Sequence, residues 1–126
     1  MIITKETDYA LRILRVLMDG EKHSVAEMSE TELIPNQFAY QILRKLSAGN
    51  LVRVSRGARG GCALSCDLDA TSLYDLMGVV GERGILCACM EPGFECRWQD
   101  EHGRCAIHYQ LAALQRKQDE AFRAVS

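Results

Sequence analysis

Apolar residues recur at helical spacing from the start of the chain. Ala10, Ile13, Leu14 and Leu17 share one side of a first helix that Thr4 can cap and that Asp19-Gly20-Glu21 ends. Ser24-Val25-Ala26-Glu27 has the form of a capping box, which predicts a second, short helix. Leu33-Ile34 makes the next turn, and Pro35 suits the first turn of a third helix. The core side of that third helix is Phe38, Ala39, Ile42, Leu43 and Leu46. Its opposite side carries Asn36, Gln37, Tyr40, Gln41 and Arg44, at successive spacings of 1, 3, 1 and 3. Asn, Gln and Arg are side chains suited to hydrogen-bond base edges. Ala48-Gly49-Asn50 supplies the C-cap.

The period then changes. Leu51-Val52-Arg53-Val54-Ser55 alternates like a strand, Arg56-Gly57-Ala58-Arg59-Gly60-Gly61 forms a tight basic loop, and Cys62-Ala63-Leu64 returns as a second strand. Helix, turn, helix and basic hairpin in this order predict a winged helix-turn-helix. The third helix would enter the major groove of double-stranded DNA, and the wing would reach backbone or minor groove. The glycine-rich loop is not a nucleotide site, because it lacks G-x-x-x-x-G-K-[ST] and does not lead directly into a helix. Thr71-Ser72 caps a further helix with Leu73, Leu76, Met77 and Val80 on one face, and Gly78, Gly81 and Gly84 loosen the chain beyond it. The last helix shows Ile107, Leu111, Leu114, Gln118, Ala121 and Val125 at spacings of 4, 3, 4, 3 and 4, a heptad seam with one polar position. Such a long, narrow seam predicts self-association as a homodimer. The expected fold is mainly α with a small β-wing. A winged helix-turn-helix spans 1–83, a cysteine-rich loop 84–104 and a dimerisation helix 105–126.

Composition agrees with one domain plus an added helix: 126 residues, 48% hydrophobic. No apolar run is long enough to span a membrane. The opening Met1-Ile2-Ile3-Thr4-Lys5-Glu6 lacks the basic start and plain apolar stretch of a signal peptide, so a cytoplasmic setting is expected. Thiols stay reduced there, and six cysteines then lean toward metal or redox use. The net charge of −2 does not suggest nucleic acid, but its distribution does. Residues 33–66 contain no Asp or Glu and carry Arg44, Lys45, Arg53, Arg56 and Arg59, whereas from residue 67 onward six cations face ten carboxylates. A basic stripe on an acidic chain can dock on phosphates.

Cys87, Cys89, Cys96, Cys105 and His108 fall within 22 residues. On chemistry alone they fit an iron–sulfur cluster, a zinc site, or a disulfide from Cys87 or Cys89 to Cys96. Cys-x-Cys followed by wide gaps is not the paired C-x2-C spacing of a zinc ribbon. Catalysis is not expected. Cys105 and His108 sit one helical turn apart without an orienting carboxylate or oxyanion donors, and no C-x-x-C accompanies a βαβ pattern. Cys62 and Cys66 read as small apolar residues at the wing, and His23 and His102, with no cysteine one turn away, as exposed side chains.

Taken together, these segments resemble the IscR/NsrR family of bacterial winged-helix transcription regulators. Thr4-Lys5-Glu6-Thr7-Asp8-Tyr9-Ala10-Leu11-Arg12 resembles the family's opening. Arg56-Gly57-Ala58-Arg59-Gly60-Gly61-Cys62-Ala63-Leu64 resembles its Arg-Gly-x-x-Gly-Gly-x-x-Leu wing, and three cysteines precede a long helix. The resemblance implies a 2Fe–2S or 4Fe–4S cluster on three cysteines plus a non-cysteine ligand. By position the cysteines are Cys89, Cys96 and Cys105. Cys105-Ala106-Ile107-His108 matches the IscR-like Cys-x-x-His ending and makes His108 the fourth-ligand candidate. Asp8 matches the carboxylate that NsrR-like members supply from the partner subunit. The gaps of six and eight residues between the three cysteines are longer than the family's usual ones, and Cys87 is an extra thiol. The implied function is a DNA-binding regulator, a repressor, whose DNA affinity follows a cluster sensing redox, nitric oxide or iron status. The alternative is a cluster-free regulator of the same fold using zinc or a thiol switch.

Overall fold

Thr4 accepts a hydrogen bond from the Thr7 amide at 3.4 Å and starts α1 (Lys5–Leu17) in the computed structural model, which describes residues 2–57 and 60–126. Ala10, Ile13, Leu14 and Leu17 are all buried, as the spacing predicts. Ser24 caps α2 (Val25–Glu32) by accepting from the Glu27 amide at 3.1 Å. The reciprocal half of the expected capping box is replaced, because the Glu27 carboxylate bonds the His23 ring instead. Leu33 closes α2 in the left-handed conformation, and Ile34 is buried behind it. Pro35 is the N-cap of α3 (Asn36–Ala48) rather than part of its first turn, a shift of one residue at a fraying boundary.

Helix α3 buries Ala39, Ile42, Leu43 and Leu46. Phe38, expected in the core, is exposed and meets Tyr9 at the edge, with ring centroids 6.0 Å apart. Strands β1 (Val52–Ser55) and β2 (Gly61–Leu64) pair antiparallel, Val52 opposite Leu64 and Ser55 opposite Gly61. Val52, Cys62 and Leu64 pack on the core, while Arg53 and Val54 are exposed, so the tip of the ribbon projects outward. A 3-10 turn (Leu68–Ala70) leads to α4 (Leu73–Val80), opened by a complete capping box of Ser72 and Asp75. Leu76, Met77 and Val80 of α4 are buried, and α4 packs on α1, α3 and α6 (Ala106–Arg123). Each buried aliphatic side chain in this core stabilises the fold by about 1.5–3 kcal/mol.

Two polar ties fix the helices. Lys45, one cation of the basic stripe, points inward: its Nζ meets Glu6 at 2.6 Å and donates to the Val80 carbonyl at 3.1 Å, joining α3 to α1 and α4. Arg15 grips the nearly buried Glu32 carboxylate through Nε and Nη2 of one guanidinium edge, and this contact holds Glu32 below the usual carboxylate range.

His23, expected from the sequence to be exposed, is largely covered. Its Nδ1 lies 2.9 Å from Glu27 and its Nε2 2.8 Å from Asp19, while its backbone exchanges hydrogen bonds with Cys62 of β2. The imidazole therefore ties the turn after α1 to α2, and the backbone of the same residue holds the wing root. Hydrogen bonds to Glu27 and then Asp19 raise its pKa above 6.5. That stabilisation is fully present below the unfolded value near 6.5 and is lost as pH rises through the higher folded value. Thermal melts of the wild type should therefore lose stability from pH 6.5 upward, beyond what His23→Gln loses over the same interval. Parallel profiles for the two chains would show that His23 does not carry this linkage.

The segment after α4 is less of a loop than expected. It contains a 3-10 turn (Ala88–Met90) and a short α5 (Arg97–His102). His102 is exposed but not partnerless: it stacks on Trp98 at 4.6 Å, and its Nδ1 lies 3.0 Å from the Trp98 carbonyl. Gly84 begins the segment at φ +65°, crowded by Gln118, Met77 and Phe122, so a side chain there would be strained and obstructed. Its carbonyl accepts from Gln115 Nε2 at 3.1 Å and from Gln118, and Gln115 Oε1 accepts from the Leu86 amide at 2.8 Å. Gln115 is thus the buried residue of α6, and it pins the cysteine segment to that helix.

Candidate nucleic-acid interface and cysteine site

Asn36, Gln37, Tyr40, Gln41 and Arg44 are all exposed on the side of α3 opposite its buried stripe. No ion pair of Arg44, Arg53 or Arg56 forms among the described residues, so their charge is available to an outside anion. Arg56 is exposed just beyond β1. Arg59, the other expected wing cation, lies outside the described residues. The missing acids matter here: all seventeen carboxylates of the chain lie outside residues 33–66. A helix with amides, a phenol and a guanidinium, beside a basic ribbon, can combine base-edge hydrogen bonds with phosphate contacts.

The cysteine site is built on the start of α6 and the 3-10 turn packed against it. Cys105 caps α6, with its Sγ accepting from the His108 amide at 3.4 Å. The His108 Nδ1 is buried and has no hydrogen-bond partner. Cys87 and Cys89 face each other with sulfurs 3.4 Å apart. Their contact raises the Cys89 thiol pKa, with burial and the nearby Cys105 adding to the rise. A soft metal bound there would take the sulfur in its thiolate form.

Cys96 is the N-cap of α5 and makes no hydrogen bond to another thiol among the described residues. No group of three or more His, Cys, Asp or Glu side chains converges on an ion-holding position among the described residues. Asp8 is engaged by Arg12 of its own helix at 3.1 Å. The structure thus sets Cys105 and His108 on the first turn of α6 and pairs Cys87 with Cys89 near Cys105, but it gathers no three of these groups around one point among the described residues. The Cys87 contact had a visible signal in the Cys-x-Cys spacing, whereas the roles of Gln115 and His23 had none. Cys62 is fully buried and Cys66 partly so, both against the core.

No described helix is long and apolar enough to cross a membrane. The profile of the Rrf2 family, described as an iron-dependent transcriptional regulator, matches residues 3–126. A protein of Aquifex aeolicus (strain VF5) named as an HTH-type transcriptional regulator is 23% identical over 128 residues, covering 100% of this chain and 88% of that protein. Among solved structures, T. potens IscR superposes with a TM-score of 0.68 at 14% identity, covering 97% of this chain and 80% of the other. The oxidized form of Staphylococcus aureus CymR gives a TM-score of 0.67 at 19% identity, covering 99% and 91%. These structural likenesses show the winged-helix fold, and the family match spans nearly the whole sequence. The chain belongs to the Rrf2 family and is a DNA-binding transcriptional regulator, not an enzyme.

Proposed function

We propose that this regulator acts as a homodimeric repressor in the cytoplasm and that an iron–sulfur cluster on Cys89, Cys96, Cys105 and His108 controls its DNA affinity. The observation that carries the cluster reading is the buried, unpartnered His108 Nδ1 one turn from Cys105, whose charge is felt by the Cys89 thiol. A buried imidazole nitrogen without a partner is costly unless something binds it. Thiolate and imidazole together suit iron–sulfur ligation, and Cys96 is the third thiolate of the set. When bound, the cluster supplies a centre whose charge and stability respond to redox state, nitric oxide or iron supply.

The chain's own residues supply the link to DNA. Gln115 and Gln118 tie Gly84 to α6, so the order of the cysteine segment bears on the end of α4. Helix α4 packs on α3, and Lys45 of α3 bonds the Val80 carbonyl at the end of α4. A change at the cysteine segment therefore has a continuous route of packed and hydrogen-bonded groups to the reading helix. Two such helices in a dimer would read half-sites about one helical turn apart. Asn36, Gln37, Tyr40, Gln41 and Arg44 are assigned to base reading, and Arg56 and Arg59 to phosphates.

Anaerobic purification should yield a coloured protein with iron and sulfide in near-equal amounts. Serine at Cys89, Cys96 or Cys105 should bleach it, and Cys66→Ser should not. His108→Ala should make the cluster labile, and Asp8→Ala should leave it intact. Zinc without sulfide in the wild type, or a cluster that survives loss of any two of the three cysteines, would contradict the assignment.

A further inference from the structure

Cys87 has no place in the proposed ligand set, yet it touches a member of it. Its Sγ lies 3.4 Å from that of Cys89, and both residues are partly exposed. A disulfide bond is about 2.05 Å long, so the sulfurs must approach by only about 1.4 Å. Residues 82–86 before them belong to no helix or strand, and Cys87 itself is extended, at φ −159° and ψ 168°. Cys89 lies in the 3-10 turn Ala88–Met90, and Gly84 and Leu86 are tied to α6, so closing the pair calls for a local adjustment at Cys87 and that turn and breaks no α-helix or strand ladder. No other thiol pair among the described residues is in such contact.

We propose that hydroperoxide oxidation of the cluster-free chain joins Cys87 and Cys89 in an intrachain disulfide, which withdraws Cys89 from metal binding. The consequence for metal uptake rests on the cluster reading, and the disulfide itself rests on the sulfur geometry. One thiolate attacks the peroxide O–O bond, giving a sulfenic acid and releasing an alcohol, or water from hydrogen peroxide. The second thiol then attacks the sulfenic sulfur. The S–S bond forms, the S–O bond breaks, and the oxygen leaves as water with the thiol's proton. The two thiols lose two electrons and two protons, and the peroxide oxygens take them up. One residue between the cysteines makes a strained ring, so a small dithiol reverses the reaction.

The test uses the full-length, reduced, cluster-free chain treated with hydrogen peroxide and blocked with N-ethylmaleimide. Trypsin cuts after Arg83, and a glutamate-specific protease cuts after Glu95, which places Cys87 and Cys89 together on peptide 84–95 and Cys96 on another. Peptide 84–95 should lack two hydrogens, carry no maleimide, and become doubly alkylated after dithiothreitol. Cys96→Ser should not change this. The oxidised wild type should lose most of its capacity to take up iron and sulfide, and Cys87→Ser treated identically should keep most of its own. Linkage of Cys89 to Cys96 or Cys105, or two alkylated thiols on peptide 84–95 after peroxide, would overturn the proposal. A wild type that never assembles iron and sulfide, oxidised or reduced, removes the cluster reading while the peptide masses still decide the disulfide.

Discussion

A chain carrying Ile107→Lys and Leu114→Lys is expected to sediment as a folded monomer. Ile107 and Leu114 are 71% and 52% exposed, and they lie seven residues apart on one stripe of α6, with Ala121 continuing it. Leu111, Gln115, Gln118 and Phe122 form the neighbouring stripe, turned toward the chain's own α4 and cysteine segment. An apolar stripe left open on a long helix needs a cover, and a second copy supplies the same stripe by symmetry. Ammonium groups brought into that seam would cost on the order of 2 kcal/mol or more each. Two per chain would weaken the dimer at least about a thousandfold. Neither side chain supports the monomer core, so the circular dichroism spectrum should be retained. Leu111→Lys, by contrast, should lower the melting temperature, because Leu111 is half-buried within its own chain. A double variant with wild-type dimer affinity would place the interface elsewhere.

The second large effect is expected on DNA. Gln41→Ala and Arg44→Ala should each cost about 1–3 kcal/mol at particular base pairs while changing non-specific affinity much less. Arg56→Ala should weaken binding to every sequence and reduce the salt slope by roughly one. These outcomes separate groups that read from groups that hold. Titrations of one selected duplex and one scrambled duplex at several salt concentrations measure both. An unchanged base preference after both α3 substitutions would mean that another element reads the sequence.

The helical core was legible because burial imposes a period on the chain. Ala10, Ile13, Leu14 and Leu17 share a face only in a helix, and Ser72 announced α4 by its capping chemistry. The exposed polar side of α3 was legible for the complementary reason, since its polar residues fill the positions the core leaves. Residues whose roles depend on distant neighbours were not legible. Lys45 looks like one more cation in a basic stretch until Glu6 and the Val80 carbonyl come beside it. His23 looks free until both carboxylates close on it. The heptad pattern of α6 merged two adjacent stripes, because residues 107, 114 and 121 lie only about 70° from a stripe that serves the chain's own domain. Gln115 escaped because a buried amide bonded to loop backbone carries no apolar signature. At the cysteine site, the spacing identified the thiols but could not say that Cys87 would meet Cys89 while Cys96 capped a separate helix.

The central claim is that the state of the cysteine site sets DNA affinity. It is tested most directly by measuring, on one duplex selected from a random pool, the affinity of the anaerobically purified protein before and after gentle removal of its iron and sulfide. Coupling of about 1–3 kcal/mol predicts a change of roughly 5- to 150-fold, abolished in Cys105→Ser. Equal affinity of the two states, at every salt concentration tried, would contradict the account.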